Sequence, residues 1–293
     1  MTTRATLGAR ALAIGALCLL GPAPLAAQEA ARLVSRGETA GADPFLLKTL
    51  AGRAERAGFD QAEIGRLLLP AVTLAERGLP SEIVLQKGLE GLSKGVPADR
   101  LAVVLSSMQR SVERAGAAAG PWLARPDVRR LFSTSADGRS IPPLASRTIM
   151  EGVAQAYIHD VPEPAIRGLL RRIPDDLERT HLPPGDFAAA LHALVDLPLA
   201  RTAPDLTADL LIRALDAEFD AADLGQLPAA MRAAERRGML PAEVVARGVL
   251  DQIGLGTPAA TVLGNLFQGK FPGGPPGGLP PGLTRPRGRP DGG

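Results

Sequence analysis

Cysteine is almost absent from this chain. The single one, Cys18, sits in an apolar N-terminal run, so a chain that loses that run has no disulfide, no thiol nucleophile and no cysteine metal ligand. Aromatic residues make up only 3%, and Trp122 and Tyr157 are too few to stack sugars in a two-carboxylate glycosidase cleft. The three histidines, His159, His181 and His192, form no H-E-x-x-H pair and lie too far apart in sequence to share a helix face. They read as surface or cap residues, and no metal or other cofactor is expected. Lysine is scarce as well: Lys48, Lys87, Lys94 and Lys270 are the only lysines among 33 basic residues. An arginine excess beside abundant Ala, Gly and Pro fits GC-rich codon usage, so single arginines carry little weight.

Catalytic patterns are missing too. No G-x-S-x-G elbow or S-x-x-K motif occurs, and no Gly-rich loop follows a strand, because no window alternates with period two. Ser133, Ser135 and Ser140 belong to a polar loop. Asp175, Asp176 and Glu178 follow Pro174, where acids favour the first turn of a helix. No catalytic residue is assigned, and an exported hydrolase with a site assembled from separated residues stands third among the functional readings.

What is present begins at the N-terminus. Arg4 and Arg10 precede an apolar run from Ala11 to Leu20, Pro22 and Pro24 break it, and Leu25-Ala26-Ala27 offers small residues before Gln28. This layout predicts a signal peptide over residues 1–27, cleaved between Ala27 and Gln28. The run is short for a membrane span, and an uncleaved anchor in the inner membrane is the alternative. The expected location is therefore periplasmic or secreted. Removing Arg4 and Arg10 brings the formal charge from +2 to zero.

A polar lead-in over residues 28–41 precedes Asp43-Pro44, which opens a helix with Asp as cap and Pro at its first position. From Phe59 the chain is written twice. Phe59, Asp60, Gly65, Pro70, Gly78, Pro80, Glu82, Val84, Leu89, Gly95 and Pro97 recur as Phe219, Asp220, Gly225, Pro228, Gly238, Pro241, Glu243, Val245, Leu250, Gly256 and Pro258. Such self-similarity marks a repeat architecture. Asp60 with Glu63 predicts a capping box. The apolar stripe from Ile64 to Ala75 runs through Pro70, which predicts one kinked helix rather than two. Ser81 is expected to cap the next helix, and Leu101, Val104, Leu105, Met108 and Val112 form an amphipathic stripe on the one after. Gly and Pro punctuate the repeat at helix stops and starts, whereas Lys87 and Lys94 become Gly248 and Leu255.

The string ERGLPSEIVLQKGLEGLSKGVPADRL carries G-L-P and K-x-L-E-G-x-x-K-G-V-P elements. It resembles a recurring segment of uncharacterised, exported, helix-rich bacterial proteins. With its second copy the likeness covers about a third of the chain. It implies a helical fold and no site.

Gly116 to Gly120 is expected to close a first helical half over residues 42–132, with a short helix from Trp122 to Phe132. The Ser133 to Pro143 segment reads as a linker loop over 133–143, and a second helical half covers 144–268. The fold class is all-α: an irregular α-helical repeat of about ten to thirteen short helices, solenoid-like or as two stacked half-domains. Residues 269–293 are Pro/Gly-rich and are expected to form a disordered tail. Its net charge is +3, from Lys270, Arg285, Arg287 and Arg289 against Asp291. Arg285 to Pro290 resembles the core of an AT-hook, but an export signal removes the chain from chromosomal DNA, so nucleic acid is not expected. Arg285, Arg287 and Arg289 instead suit an anionic envelope polymer or lipid head group. The leading function is a non-catalytic envelope interaction or scaffold module that holds a protein or peptide partner in a groove of exposed apolar residues. The alternative is a structural or stress-associated envelope protein acting through its basic tail.

Overall fold

The computed structural model describes residues 23–133 and 140–270. Among the described residues there are fourteen α-helices and no strand. Contacts divide the chain into two compact units, one ending at Arg110 and the other beginning at Ser111. The division falls inside a helix rather than in the 133–143 loop.

In the first unit α1 (Ala23–Thr39) packs along α3 (Gln61–Glu76), and α2 (Pro44–Arg56) along α4 (Glu82–Ser93). Local chemistry starts α2 and α3. Asp43 accepts from the Phe45 and Leu46 amides at 2.8 and 3.0 Å. Asp60 and Glu63 form the expected capping box, with bonds of 2.7 and 2.8 Å, and a cap of this kind stabilises by about 1 kcal/mol. Leu47, Leu50, Leu67, Leu68, Leu74 and Leu85 are fully buried and form the centre of the core. Pro70 lies inside α3, which remains one helix. The following α5 (Ala98–Leu123) approaches α4 through bare backbone, because a β-carbon on Gly91 would overlap Leu101.

Several sequence expectations change here. The polar lead-in over 28–41 is mostly the end of α1, where Ala30 and Leu33 are buried and Leu33 faces Gly65 of α3. Its apolar positions are few but fall at helical spacing. Ser81 does not cap α4: it is buried, in the right-handed helical region, and makes no capping bond. The stripe on α5 holds at Leu101, Leu105, Met108 and Val112, which are buried, while Val104 is exposed. Gly116 and Gly120 do not stop α5. Val112, Ala115, Ala119 and Trp122 continue the buried stripe past them, so apolar phase outweighs glycine's helix penalty of about 1 kcal/mol each.

The second unit takes the rest of α5 with α6 (Pro126–Phe132), α7 (Pro143–Ile158), α8 (Glu163–Asp176), α9 (Pro184–Asp196) and α10 (Leu199–Thr202). It ends with α11 (Pro204–Asp216), α12 (Ala221–Gly238), α13 (Ala242–Gly254) and α14 (Ala259–Gln268). Helices α7, α9, α12 and α14 pack in one succession, and α6, α8, α11 and α13 in another. Trp122, Phe132 and Phe187 meet with ring centroids 5.4 to 5.8 Å apart, and the Leu182 amide donates to the Leu131 carbonyl at 2.9 Å. These contacts place α6 in the second unit and explain why the boundary does not follow the polar loop. Pro174 lies inside α8, so Asp175 and Asp176 end that helix rather than starting the next. Arg172 holds Asp176 at 2.5 Å and Asp209 at 3.1 Å, offsetting the unfavourable position of an acid at a helix C-terminus.

Candidate functional site

The second unit contains an open groove of about 800 Å³ between the end of α5 and the face of α8. From α5 come Ala117, Ala118, Pro121 and Trp122, followed by Arg125; from α8 come Pro164, Arg167, Gly168, Leu170 and Arg171; Asp205 stands in the first turn of α11. The sequence builds this wall from small residues. Ala117 and Ala118 leave the α5 backbone near the surface, and Pro121 has no N–H to give to the Ala117 carbonyl one turn back. Gly168 leaves space where a side chain would project: no heavy atom lies within 4 Å of its would-be β-carbon. The groove volume falls in the usual range for ligand pockets, about 300–1,000 Å³.

Its polar groups are chiefly guanidinium. Arg125 grips Asp127 through Nε at 3.1 Å and Nη2 at 2.5 Å, with Asp175 at 3.8 Å. That pairing raises Arg125 above its ordinary value and lowers Asp127. Arg167 pairs with Glu163 at 2.5 Å, and burial pushes the nearby Tyr157 phenol up. Arg171 is exposed and makes no ion pair or side-chain hydrogen bond among the described residues. Asp127, Asp175 and Glu163 do not line the groove, so its own surface sets three guanidiniums against one carboxylate. Trp122 Nε1 is buried and finds no protein acceptor, an arrangement that costs about 1–3 kcal/mol when a donor loses its water. The described lining contains no His, Ser, Cys, Lys or Tyr and so no paired acid and base. What it can do is hold a molecule with an apolar body and acceptor oxygens.

Residues singled out from the sequence mostly lie elsewhere. His159, His181 and His192 are all exposed, His159 as the C-cap of α7, and no group of three potential metal ligands occurs among the described residues. Ser133 ends α6 and is buried, Ser140 is exposed, and Ser135 is outside the described residues. Asp175 reaches Arg125, whereas Glu178 reaches Arg213 at 3.7 Å. Tyr157 is buried with the Arg114 guanidinium 5.0 Å from its ring. Ala27 and Gln28 fall within α1; the rest of the signal segment up to residue 22, and Arg285, Arg287 and Arg289, lie outside the described residues. A second depression of about 460 Å³ is lined by Asp209, Arg213 and Asp216, two carboxylates against one guanidinium.

Arg125, Arg167 and Arg171 carry no weight in the sequence reading, which attributes arginines to codon usage. A detectable signal did exist: Arg167 and Arg171 are four residues apart on an amphipathic helix, and such pairs share a face. No helix among the described residues is long and apolar enough to cross a membrane. Comparison with protein-family models, curated proteins and solved structures finds no match to this chain.

Proposed function

We propose that this chain is an exported, non-catalytic helical-repeat protein that acts as an interaction or scaffold module of the bacterial envelope. Its working surface is the α5–α8 groove, which holds a protein or peptide partner. One observation carries the reading: a groove with exposed hydrocarbon at Ala117 and Pro121 and open space above Gly168. Two successions of helices, each member packed on the next, support a solenoid-like build in which neighbours bury one another's stripes. The charged n-region and apolar run up to Leu20 support export to the periplasm or beyond.

The test is affinity capture from a native envelope with residues 28–293. A Gly168→Leu chain, whose side chain fills the groove, is expected to lose the captured partner, and deletion of residues 271–293 to leave it bound. Equal capture by Gly168→Leu and wild type would remove the groove from the reading. The net positive charge carried by the C-terminal residues favours a second reading, contact with an anionic polymer or lipid. Loss of envelope association on deletion, with partner capture unchanged, would select it.

A further inference from the structure

The groove lining separates into two chemistries. Ala117, Pro121, Trp122 and Leu170 offer hydrocarbon, whereas Arg167 and Arg171, one turn apart on α8, offer a cationic edge. Arg171 is free of partners among the described residues, and the acid that holds Arg167 lies outside the lining. Trp122 adds a buried donor without a protein acceptor. The walls are helical, so their amides are already bonded within the helices and an extended peptide finds no ladder to join. An alkyl chain needs none. Self-occupation by residues 271–293 is opposed by charge, since those residues bear arginines like the groove.

We propose that the α5–α8 groove binds a single-chain amphipathic carboxylate, its alkyl body against Pro121, Trp122 and Leu170 and its head group on Arg171 and Arg167. A guanidinium fork matches a carboxylate with two parallel bonds. Asp205 on the same rim favours a singly charged head over a dianionic phosphate. The proposal shares with the proposed function only the premise that this groove is the working surface; an alkyl carboxylate seated there competes with a protein or peptide partner for the same walls.

The chain has one tryptophan, and it lines the groove, so intrinsic fluorescence reads the site directly. Decanoate titrated below its micelle concentration is expected to produce a saturable change in Trp122 emission. Arg171→Ala should weaken binding by about tenfold, Arg171→Lys should restore part of it, and Gly168→Leu should abolish it. Circular dichroism of each variant reports whether it has folded, and Arg171, being exposed, leaves the core intact. Decanol or decyltrimethylammonium binding as tightly as decanoate would overturn the proposal, as would a titration unchanged by Arg171→Ala and Gly168→Leu. Tighter binding of decyl phosphate would transfer the site to a phosphate ligand, and displacement of decanoate by lower concentrations of a Glu/Leu-rich acetylated peptide would transfer it to a protein segment. Either result also overturns it. Partner capture that depends on the groove while decanoate fails to bind sinks this proposal alone. Decanoate binding without groove-dependent capture sinks only the partner reading.

Discussion

The two copies of the repeat meet the same structural demands with different residues. In the first copy the chain turns left-handed at Gly58, Gly78 and Gly95, with φ between 65 and 85°. In the second the same turns fall on Glu218 at φ 60°, Met239 at φ 50° and Gly256 at φ 71°. Gly238 is still helical, because the second copy has one additional residue before its Pro, and the left-handed position moves onto Met239. The prolines shift too. Pro228 lies two residues earlier in α12 than Pro70 does in α3, so the pair matches in kind and not in register. Phe219 is fully buried while Phe59 is only half-buried. Gly91, where α4 meets α5, is replaced by buried Gln252, whose Oε1 accepts from Asn265 Nδ2 at 2.8 Å. Asn265 in turn stands where the first copy has exposed Val104. The copies therefore share left-handed helix exits and apolar phase, while the second adds a part-buried polar pair and tolerates backbone strain.

Exchanging residues between the copies tests this contrast. The largest effect is expected from Gly91→Gln, which forces an amide into the space filled by Leu101 with no Asn265 equivalent to receive it. A loss of about 3 kcal/mol or more follows, measured by denaturant unfolding; a loss under about 1 kcal/mol would show that α4 and α5 separate easily. Next is Gln252→Ala, which leaves a cavity and strands the Asn265 amide, for about 2 kcal/mol. Gly78→Ala should cost about 1–2 kcal/mol, because only glycine adopts that φ freely. Met239→Gly should go the other way and stabilise by up to about 1 kcal/mol, since Met239 is 91% exposed and loses no packing.

The smallest effect concerns charge. Lys87 and Lys94 both pair with Glu90 in the first copy. Hydrogen bonds from Lys94 and then Lys87 lower the Glu90 carboxyl from 4.5 to about 2. A carboxylate held this low favours the folded state above its unfolded value, and that contribution disappears as pH falls from about 4.5 through about 2. All three groups are on the surface, so the effect on stability is slight. Lys94→Leu, the residue found in the second copy, should raise the Glu90 midpoint toward 4.5 in a carboxyl NMR titration; an unmoved midpoint would break the assignment.

How much could be read beforehand depended on how local the cause was. The Asp43 and Asp60 caps and the uninterrupted helix at Pro70 were visible because a cap needs only neighbouring residues, and the apolar phase showed the helix continuing. The run of α5 through Gly116 and Gly120 was not visible, since glycine is a stop signal unless tertiary burial of Ala115, Ala119 and Trp122 outweighs it. The unit boundary was hidden for a similar reason. A polar loop suggests separation, but Phe132 ahead of it packs on Phe187 beyond it.

The all-helical class, the starts of α2 and α3 and the presence of two related copies were determined by the sequence itself, because helical spacing, caps and self-similarity are written along one chain. Tertiary structure alone decided which helices extend past their glycines. It also made the groove. A cavity is space left between elements, and no single stretch records that α5 ends in small residues opposite Gly168, Arg167 and Arg171.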